Sequence, residues 1–361
     1  MAQGWKLYNV STRQFMPGPC EESEFKYMFL SEKWHILVKY LAKPTGYKKK
    51  VTWRKVNIAK FEHKKQLGAL SRLPDEILLM IFEASLDAWY RDDDRLNWTF
   101  FTLGITNTYL AEIAYEVVQR HFVYLTDNWF CNRLICVGHN ASVDAADLPP
   151  RAFRKDDVDA MASHKTLQDY LDFKCIYPHS RSDVQGFDLE KAPKALQLHS
   201  ECYSGNNPTA RQQAECLLDL STPRLLYDGP YSDWVLADLD TGEFVRLWAI
   251  LALQNLIGDA TGPFVDKVTE GRVFGLGHVL LSRICYSTDP SQVALQTDGL
   301  SYAQNRGPWA GHHFTITTRR DLDRERGWKD ISGKVAKDVE AILRGCFGND
   351  WRRCARAPGL F

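Results

Sequence analysis

Residues 5–16, WKLYNVSTRQFM, and residues 234–245, WVLADLDTGEFV, follow one pattern, and that self-similarity constrains the fold more than any other feature of the chain. Trp5 aligns with Trp234, Leu7 with Leu236, Asn9 with Asp238, Thr12 with Thr241 and Phe15 with Phe244, all at an offset of 229 residues. In each stretch tryptophan and leucine alternate, a polar cluster follows, and apolar residues resume, which predicts strand, turn and strand. A second pair, NWFCNRLICVGH (128–139) and PWAGHHFTITTR (308–319), aligns Trp129 with Trp309 and Leu134 with Phe314 at an offset of 180. Phe314 and Ile316 alternate with Thr315 and Thr317, the period of a half-buried strand. A helical segment ending in proline lies between hairpin and strand in each copy, over 29–44 and 274–290. The offsets 229 and 180 differ by 49, so the first copy carries that much extra chain between its hairpin and its closing strand.

The expected architecture is α+β, with two repeated hairpin–helix–strand units packed together and a three-helix module inserted in the first. The expected division is 1–66 for the first part of unit 1 with a basic linker, 67–125 for the insertion and 126–150 for the closing strand of unit 1. A polar connection with short helical pieces such as 156–172 and 209–220 follows over 151–230, then unit 2 over 231–345 and a C-terminal tail over 346–361, of which 351–361 is expected to fray.

The insertion contains LSRLPDEILLMIF (70–82). Proline suits the first turn of a helix, because the N–H it lacks would have no intrahelical partner there. Asp75 and Glu76 then sit where carboxylates favour the positive end of the helix dipole. Ile77, Leu78, Ile81 and Phe82 form one apolar face at helical spacing, while Leu79 and Met80 project elsewhere, so this helix needs partners on two sides. Residues 85–99 are expected to be a loop. Over 108–122, Leu110, Ile113, Ala114, Val117 and Val118 recur as the face of an amphipathic helix.

Leu73-Pro74-Asp75-Glu76-Ile77-Leu78, then Ile81-Phe82, Leu103, and a third helix around Leu110 and Ile113 together resemble the F-box motif, over about 55 residues from 70 to 124. F-box modules dock on the small Skp-type adaptor of cullin–RING ubiquitin ligases. The resemblance implies that Leu73, Pro74, Glu76, Ile77, Leu78, Ile81, Phe82, Leu103, Leu110 and Ile113 carry that contact. ITNTYLAEIA stands where the family has a Cys-Lys/Arg-x-Trp segment, and the loop before it is longer and more acidic than the family's. The tryptophan-led strands, PWAGHHF above all, resemble a Trp-Ala-Gly-Asp-Arg pattern of uncharacterised fungal and bacterial proteins, some fungal ones with an F-box-like insertion. Here Asn132-Arg133 and His312-His313 replace Asp-Arg.

Lysine plus arginine equals aspartate plus glutamate at 45 each, so no net field selects nucleic acid, membrane or an acidic substrate. Positive charge concentrates at 43–65, with nine Lys/Arg against one acidic residue; a solvated linker is the expected reading, and nuclear import or nucleic-acid contact the alternative. Nine scattered cysteines fit reduced thiols, and MAQGWKLYNV does not read as a secretory signal. WAILALQNLI (248–257) is far short of the roughly 20 apolar residues a membrane span needs. A cytosolic or nuclear protein is therefore expected.

No Walker loop, Rossmann fingerprint, Gly-x-Ser-x-Gly elbow, His-Glu-x-x-His helix or Cys-x-x-Cys pair is present, so neither catalysis, cofactor nor metal is expected. Adjacent His312 and His313 would point to opposite faces of a strand, which does not suit one shared metal. Cys131 and Cys136 lack a partner that would lower their thiol pKa and are expected to act as small hydrophobes. The leading expectation is thus a non-catalytic adaptor that recruits a target protein to a cullin–RING ligase. A competing one makes the repeated units a small-molecule or glycan-binding module, conceivably an enzyme. It would stack ligand on Trp129 and Trp309 beside Arg133, His312 and His313, with core packing as the alternative role for both tryptophans.

Overall fold

A computed structural model describes residues 4–16, 25–30, 34–42, 70, 72–90, parts of 109–120, 129–150, 152–175, 231–256, 273–288, 306–322 and 327–356. The chain divides into two compact units, one of residues 1–43, 126–179 and 229–361, the other of residues 44–125 and 180–228. Helices and a mixed sheet make the protein α+β.

In the first unit the tryptophan-led stretches become strands. Lys6–Asn9 (β1) turns into Gln14–Met16 (β2), Arg133–Val137 forms β3, Trp234–Asp238 (β4) turns into Glu243–Arg246 (β5), and His312–Thr318 forms β7. With Cys285–Tyr286 (β6) and Lys329–Asp330 (β8), they build one sheet of order β2-β1-β3-β7-β4-β5-β8, β6 pairing β3 off this path. Leu7 pairs with Cys136 across β1 and β3, and Leu236 with Ile316 across β4 and β7, so both pairs obey the offsets of 229 and 180. At the centre Arg133 pairs with His313 and Leu134 with His312. The flanking bonds match as well: Cys131 N–H donates to Phe314 O at 2.9 Å, and Gly311 N–H to Leu134 O at 2.8 Å. Cys131 and Gly311 share the left-handed backbone (φ 56° and 79°), as do Arg13 and Gly242 (φ 55° and 71°) in the two hairpin turns.

Beyond these central pairs, β3 and β7 take other partners. Trp34–Leu41 (α2) runs into Ala42, which bridges Ile316 of β7, whereas Leu276–Ile284 (α7) runs into β6, which pairs with β3. The two helices pack on each other where Gly277 meets Trp34: a Cβ built on Gly277 would lie 2.3 Å from the Trp34 carbonyl oxygen. The helix predicted over 29–44 is in fact Phe25–Leu30 (α1) and then α2. Trp34 is fully buried and its indole donates to Met28 O at 2.5 Å.

The opposite sheet face is covered in the first half by Lys155–Met161 (α4) and Leu167–Lys174 (α5), whose Met161, Leu167, Tyr170 and Leu171 enclose Tyr8, Ile135 and Val137. Residues 155–174, expected within a polar connection, are therefore part of this core. Burial, with the hydrogen bond from Tyr8 to Asp172 Oδ1 at 2.6 Å, pushes the Tyr8 hydroxyl above its ordinary range. Burial likewise pushes the Cys175 thiol up to about 12, with Asp172 and Asp157 adding to it, so this sulfur stays protonated at neutral pH.

Leu247–Leu253 (α6) follows β5, and Ser332–Phe347 (α8) packs beside α6 and α7. The buried Arg283 of α7 pairs with Asp338 of α8 at 3.3 Å. Trp351–Arg356 (α9) follows, and Trp351 is 1% exposed, so the first part of the tail expected to fray is helical and begins on a buried tryptophan.

Asp330 fixes the start of α8. Its Oδ1 accepts from the Ser332 backbone N–H at 3.0 Å and from the Ser332 hydroxyl at 2.5 Å, and Oδ2 meets Arg246 Nη2 at 2.5 Å. Burial would raise this carboxyl, but the Ser332 and Arg246 donors outweigh it and hold it below its ordinary value. A depressed folded value means the stabilisation is complete above the unfolded value of about 3.9 and fades as pH falls through the folded one. Asp330→Asn is expected to cost about 1 kcal/mol at pH 7, allowing for partial exposure, and much less near pH 3. Denaturant unfolding at both pH values checks this; an equal loss at both would mean the charge is not what matters.

In the second unit, Asp75–Tyr90 (α3) begins after Pro74, with Asp75 and Glu76 in its first turn. It continues through residues 85–90, where a loop was expected, because nothing in SLDAWY breaks a helix. Tyr109, Leu110, Ile113, Ala114, Glu116, Val117 and Arg120 are helical, and the Tyr109 hydroxyl donates to Asp75. Arg120 pairs with Glu116 at 2.7 Å and approaches Glu83 at 3.6 Å. Residues 43–65, 91–100 and Leu103 lie outside the described residues. Among the described residues no helix is long and apolar enough to cross a membrane.

Candidate functional site

Two places gather the residues singled out from the sequence. In the second unit, α3 sorts its apolar residues by depth. Leu78 and Phe82 are 2% and 1% exposed, and Leu110, Ile113, Ala114 and Val117 are buried as well. Four predicted contact residues, Leu78, Phe82, Leu110 and Ile113, are thus interior and unable to touch a partner without opening the unit. The outward side carries Pro74 and Glu76, exposed, Ile77 at 40% and Met80 at 61%, with Leu73 and Ile81 half-buried. Met80 was not in the predicted contact set, although its spacing of three from Ile77 places it on the same side of the helix.

In the first unit the two hairpin turns reach the centre of the sheet in parallel ways. Asn9 Oδ1 accepts from the backbone N–H groups of Ser11 and Thr12, both at 3.1 Å, and Asp238 Oδ1 accepts from Asp240 and Thr241 at 2.9 and 3.4 Å. Arg133 N–H donates to Ser11 Oγ at 3.0 Å, and His313 N–H to Asp240 Oδ2 at 2.8 Å. Val10 N–H donates to Arg133 O, and Leu239 N–H to His313 O, each at 2.9 Å.

What differs is charge. Asn9, Ser11 and Gln14 of one hairpin, with Asn132 beside β3, correspond at the same offsets to Asp238, Asp240 and Glu243 of the other, with His312 of β7. Asp238 is fully buried, and its Oδ2 accepts from the Thr241 hydroxyl at 2.7 Å and lies 2.8 Å from His312 Nδ1. His313 Nδ1 stands 3.0 Å from Asp240 Oδ2. Burial works to raise the Asp240 carboxyl, but the backbone and ring nitrogens of His313, with the His312 imidazole nearby, outweigh it and hold it below its ordinary value. The two histidines do part, as their adjacency on a strand requires, each taking its own carboxylate. Asp238 and Asp240 were read from the sequence only as turn residues; the exchange of Asn9 for Asp238 at a fixed offset was the available signal.

Trp129 and Trp309 are 4% and 0% exposed, so neither ring offers a stacking platform. Trp129 lies against Tyr40, ring centroids 5.9 Å apart, and Trp309 donates its indole N–H to Glu243 Oε2 at 3.1 Å beneath the Arg283 guanidinium. Of the residues proposed to bind a ligand, only Arg133, His312 and His313 keep partial exposure. Cys136 is buried, and the nearby His139 ring meets Gln168 Oε1 at 2.9 Å.

Comparison of the chain with protein-family models, with curated proteins and with solved structures finds no match.

Proposed function

We propose that the protein is an F-box-type adaptor that recruits a target to a cullin–RING ubiquitin ligase in the cytosol or nucleus, binding the Skp-type subunit through α3 and contributing no catalysis. The observation that carries this reading is the exposed apolar side of α3. Pro74, Ile77 and Met80 are exposed around an acidic first turn, while Leu78 and Phe82 are buried. Large apolar side chains gathered on one helix side favour a protein partner over water.

The first unit, in this reading, is a duplicated scaffold that presents the target. Three constant offsets support duplication: 229 for the hairpins, 180 for the closing strands, and 243 relating Ala42 and Cys285, the residues that follow α2 and α7. The helix offset exceeds the strand offset by 63 residues, which places the extra chain of the first copy after Ala42 and before Arg133. The second copy in turn carries 14 more residues between hairpin and helix, where α6 lies; the difference of 63 and 14 is the 49 counted from hairpin to strand. A segment that one copy lacks is not needed to close the sheet, so it is free to serve a partner. The ligand-binding alternative loses its two aromatic platforms to the core.

Co-purification with a Skp-type adaptor tests the proposal. The wild-type chain is expected to recover the adaptor, and Ile77→Ala/Met80→Ala to recover at least tenfold less, about 1.4 kcal/mol or more of binding. Both positions are exposed, so folding is expected to be unaffected. Equal recovery by wild type and variant, or none by the wild type, overturns the reading.

A further inference from the structure

Asp238, Asp240 and His312 each offer one ligating atom, and these three atoms lie within 4.8 Å of one another. We infer that they form a binding site for a divalent first-row transition ion of the zinc class. The site lies wholly in the first unit, so the inference does not depend on the adaptor reading.

The ligand chemistry sets the class of ion. Two carboxylate oxygens and one imidazole nitrogen suit zinc and its neighbours, whereas calcium and magnesium prefer all-oxygen shells. Bonds of about 2.0–2.2 Å put ligand atoms roughly 3–4 Å apart around such an ion. His312 Nδ1 and Asp238 Oδ2, at 2.8 Å, are already close to that spacing. Asp240 is the member on the exposed turn, so it can supply the remaining contraction of up to about 1 Å.

The supporting bonds are of the kind that orient metal ligands. The Thr241 hydroxyl and two backbone N–H groups aim the Asp238 carboxylate, and His313 holds Asp240 by its backbone and its ring. The buried Asp238 carboxylate is held by the His312 ring at 2.8 Å. A bound cation would replace the hydrogen the two share, His312 ligating as the neutral imidazole and that proton leaving to solvent.

The sister turn acts as an internal control. Asn9 and Ser11 make the corresponding backbone bonds without any charge, so the turn does not require Asp238 or Asp240 to close. Asparagine likewise occupies the His312 position in the other closing strand, at Asn132. The carboxylates and imidazole are thus surplus to the turn's own folding, and together they make a ligand set.

The experiment titrates the full chain, after chelator treatment, with Zn2+ by calorimetry and with Co2+ by absorbance. Asp238→Asn, Asp240→Ser and His312→Asn, each the residue of the sister turn, serve as variants. The wild type is expected to bind one equivalent of Zn2+ with a Co2+ spectrum free of thiolate charge-transfer bands. Each variant is expected to bind at least tenfold more weakly with unchanged far-UV circular dichroism. Asp240→Ser changes only an exposed turn residue, so it keeps the test valid should a buried substitution unfold the chain. No Zn2+ binding by the wild type, undiminished binding by Asp240→Ser, or thiolate bands in the Co2+ spectrum overturns the inference.

Discussion

Gly277→Ala is expected to destabilise the first unit by about 2–3 kcal/mol, the upper part of the range for an overpacked core. Helix propensity alone predicts the opposite sign, because alanine is favoured over glycine in a helix by up to about 1 kcal/mol. The contact decides: the new methyl carbon would lie 2.3 Å from the Trp34 carbonyl oxygen and 3.1 Å from Trp34 Cβ, so backbone must move. Trp34 cannot give way easily, since it is fully buried and its indole is bonded to Met28 O. In the duplicated reading proposed above, the offset of 243 would make Trp34 and Gly277 counterparts that meet across the centre of the unit. Two large residues would collide there, and a tryptophan facing a glycine is one solution. Gly275→Ala, with nothing within 4 Å of the added carbon, is the control and is expected to cost little. Chemical denaturation of both variants checks the pair; a Gly277→Ala protein as stable as wild type would mean that α2 and α7 do not approach this closely.

The strands were legible in the sequence because their signal is local and repeated. Trp5, Leu7, Trp234 and Leu236 mark alternation directly, and the two offsets carry the Leu7–Cys136 pair onto Leu236–Ile316, although the pairing itself is seen only in the structure. The helical pieces of 155–174 were legible, but not their place in the core. Asp156, Asp157, Asp159, Asp169 and Asp172 dominate their composition, and only a few positions such as Met161, Tyr170 and Leu171 are buried, since these helices cover a sheet on one side. For α3 the sequence showed that both sides are apolar but not which side is interior; that depends on the packing around Leu78 and Phe82. The exchange of Asn9 for Asp238 marked one member of the carboxylate–imidazole cluster, but not the cluster itself, because Asp238 and His312 are 74 residues apart and meet only when β4 pairs with β7.

Trp309→Ala is expected to cost about 3–5 kcal/mol, a large share of the roughly 5–15 kcal/mol that holds a protein folded. The ring is wholly buried, 5.9 Å from the Phe314 ring and 5.1 Å below the Arg283 guanidinium. Deleting it leaves a cavity and removes the aromatic face from a cation that is itself buried and that pairs with Asp338. It also takes the indole donor from Glu243, whose other partner, Lys329, is largely exposed at 3.3 Å. Trp309→Phe separates these contributions: it keeps most of the volume and the cation contact but not the N–H, and is expected to cost about 1–2 kcal/mol. The pair also discriminates between roles for the ring. A stacking platform for a ligand could be cut to alanine with little loss of stability, whereas a ring that joins α7 to the sheet cannot. Denaturant unfolding of the two variants therefore reads the role of Trp309 without knowledge of any ligand, and a Trp309→Ala protein of wild-type stability would return the ring to the list of binding residues.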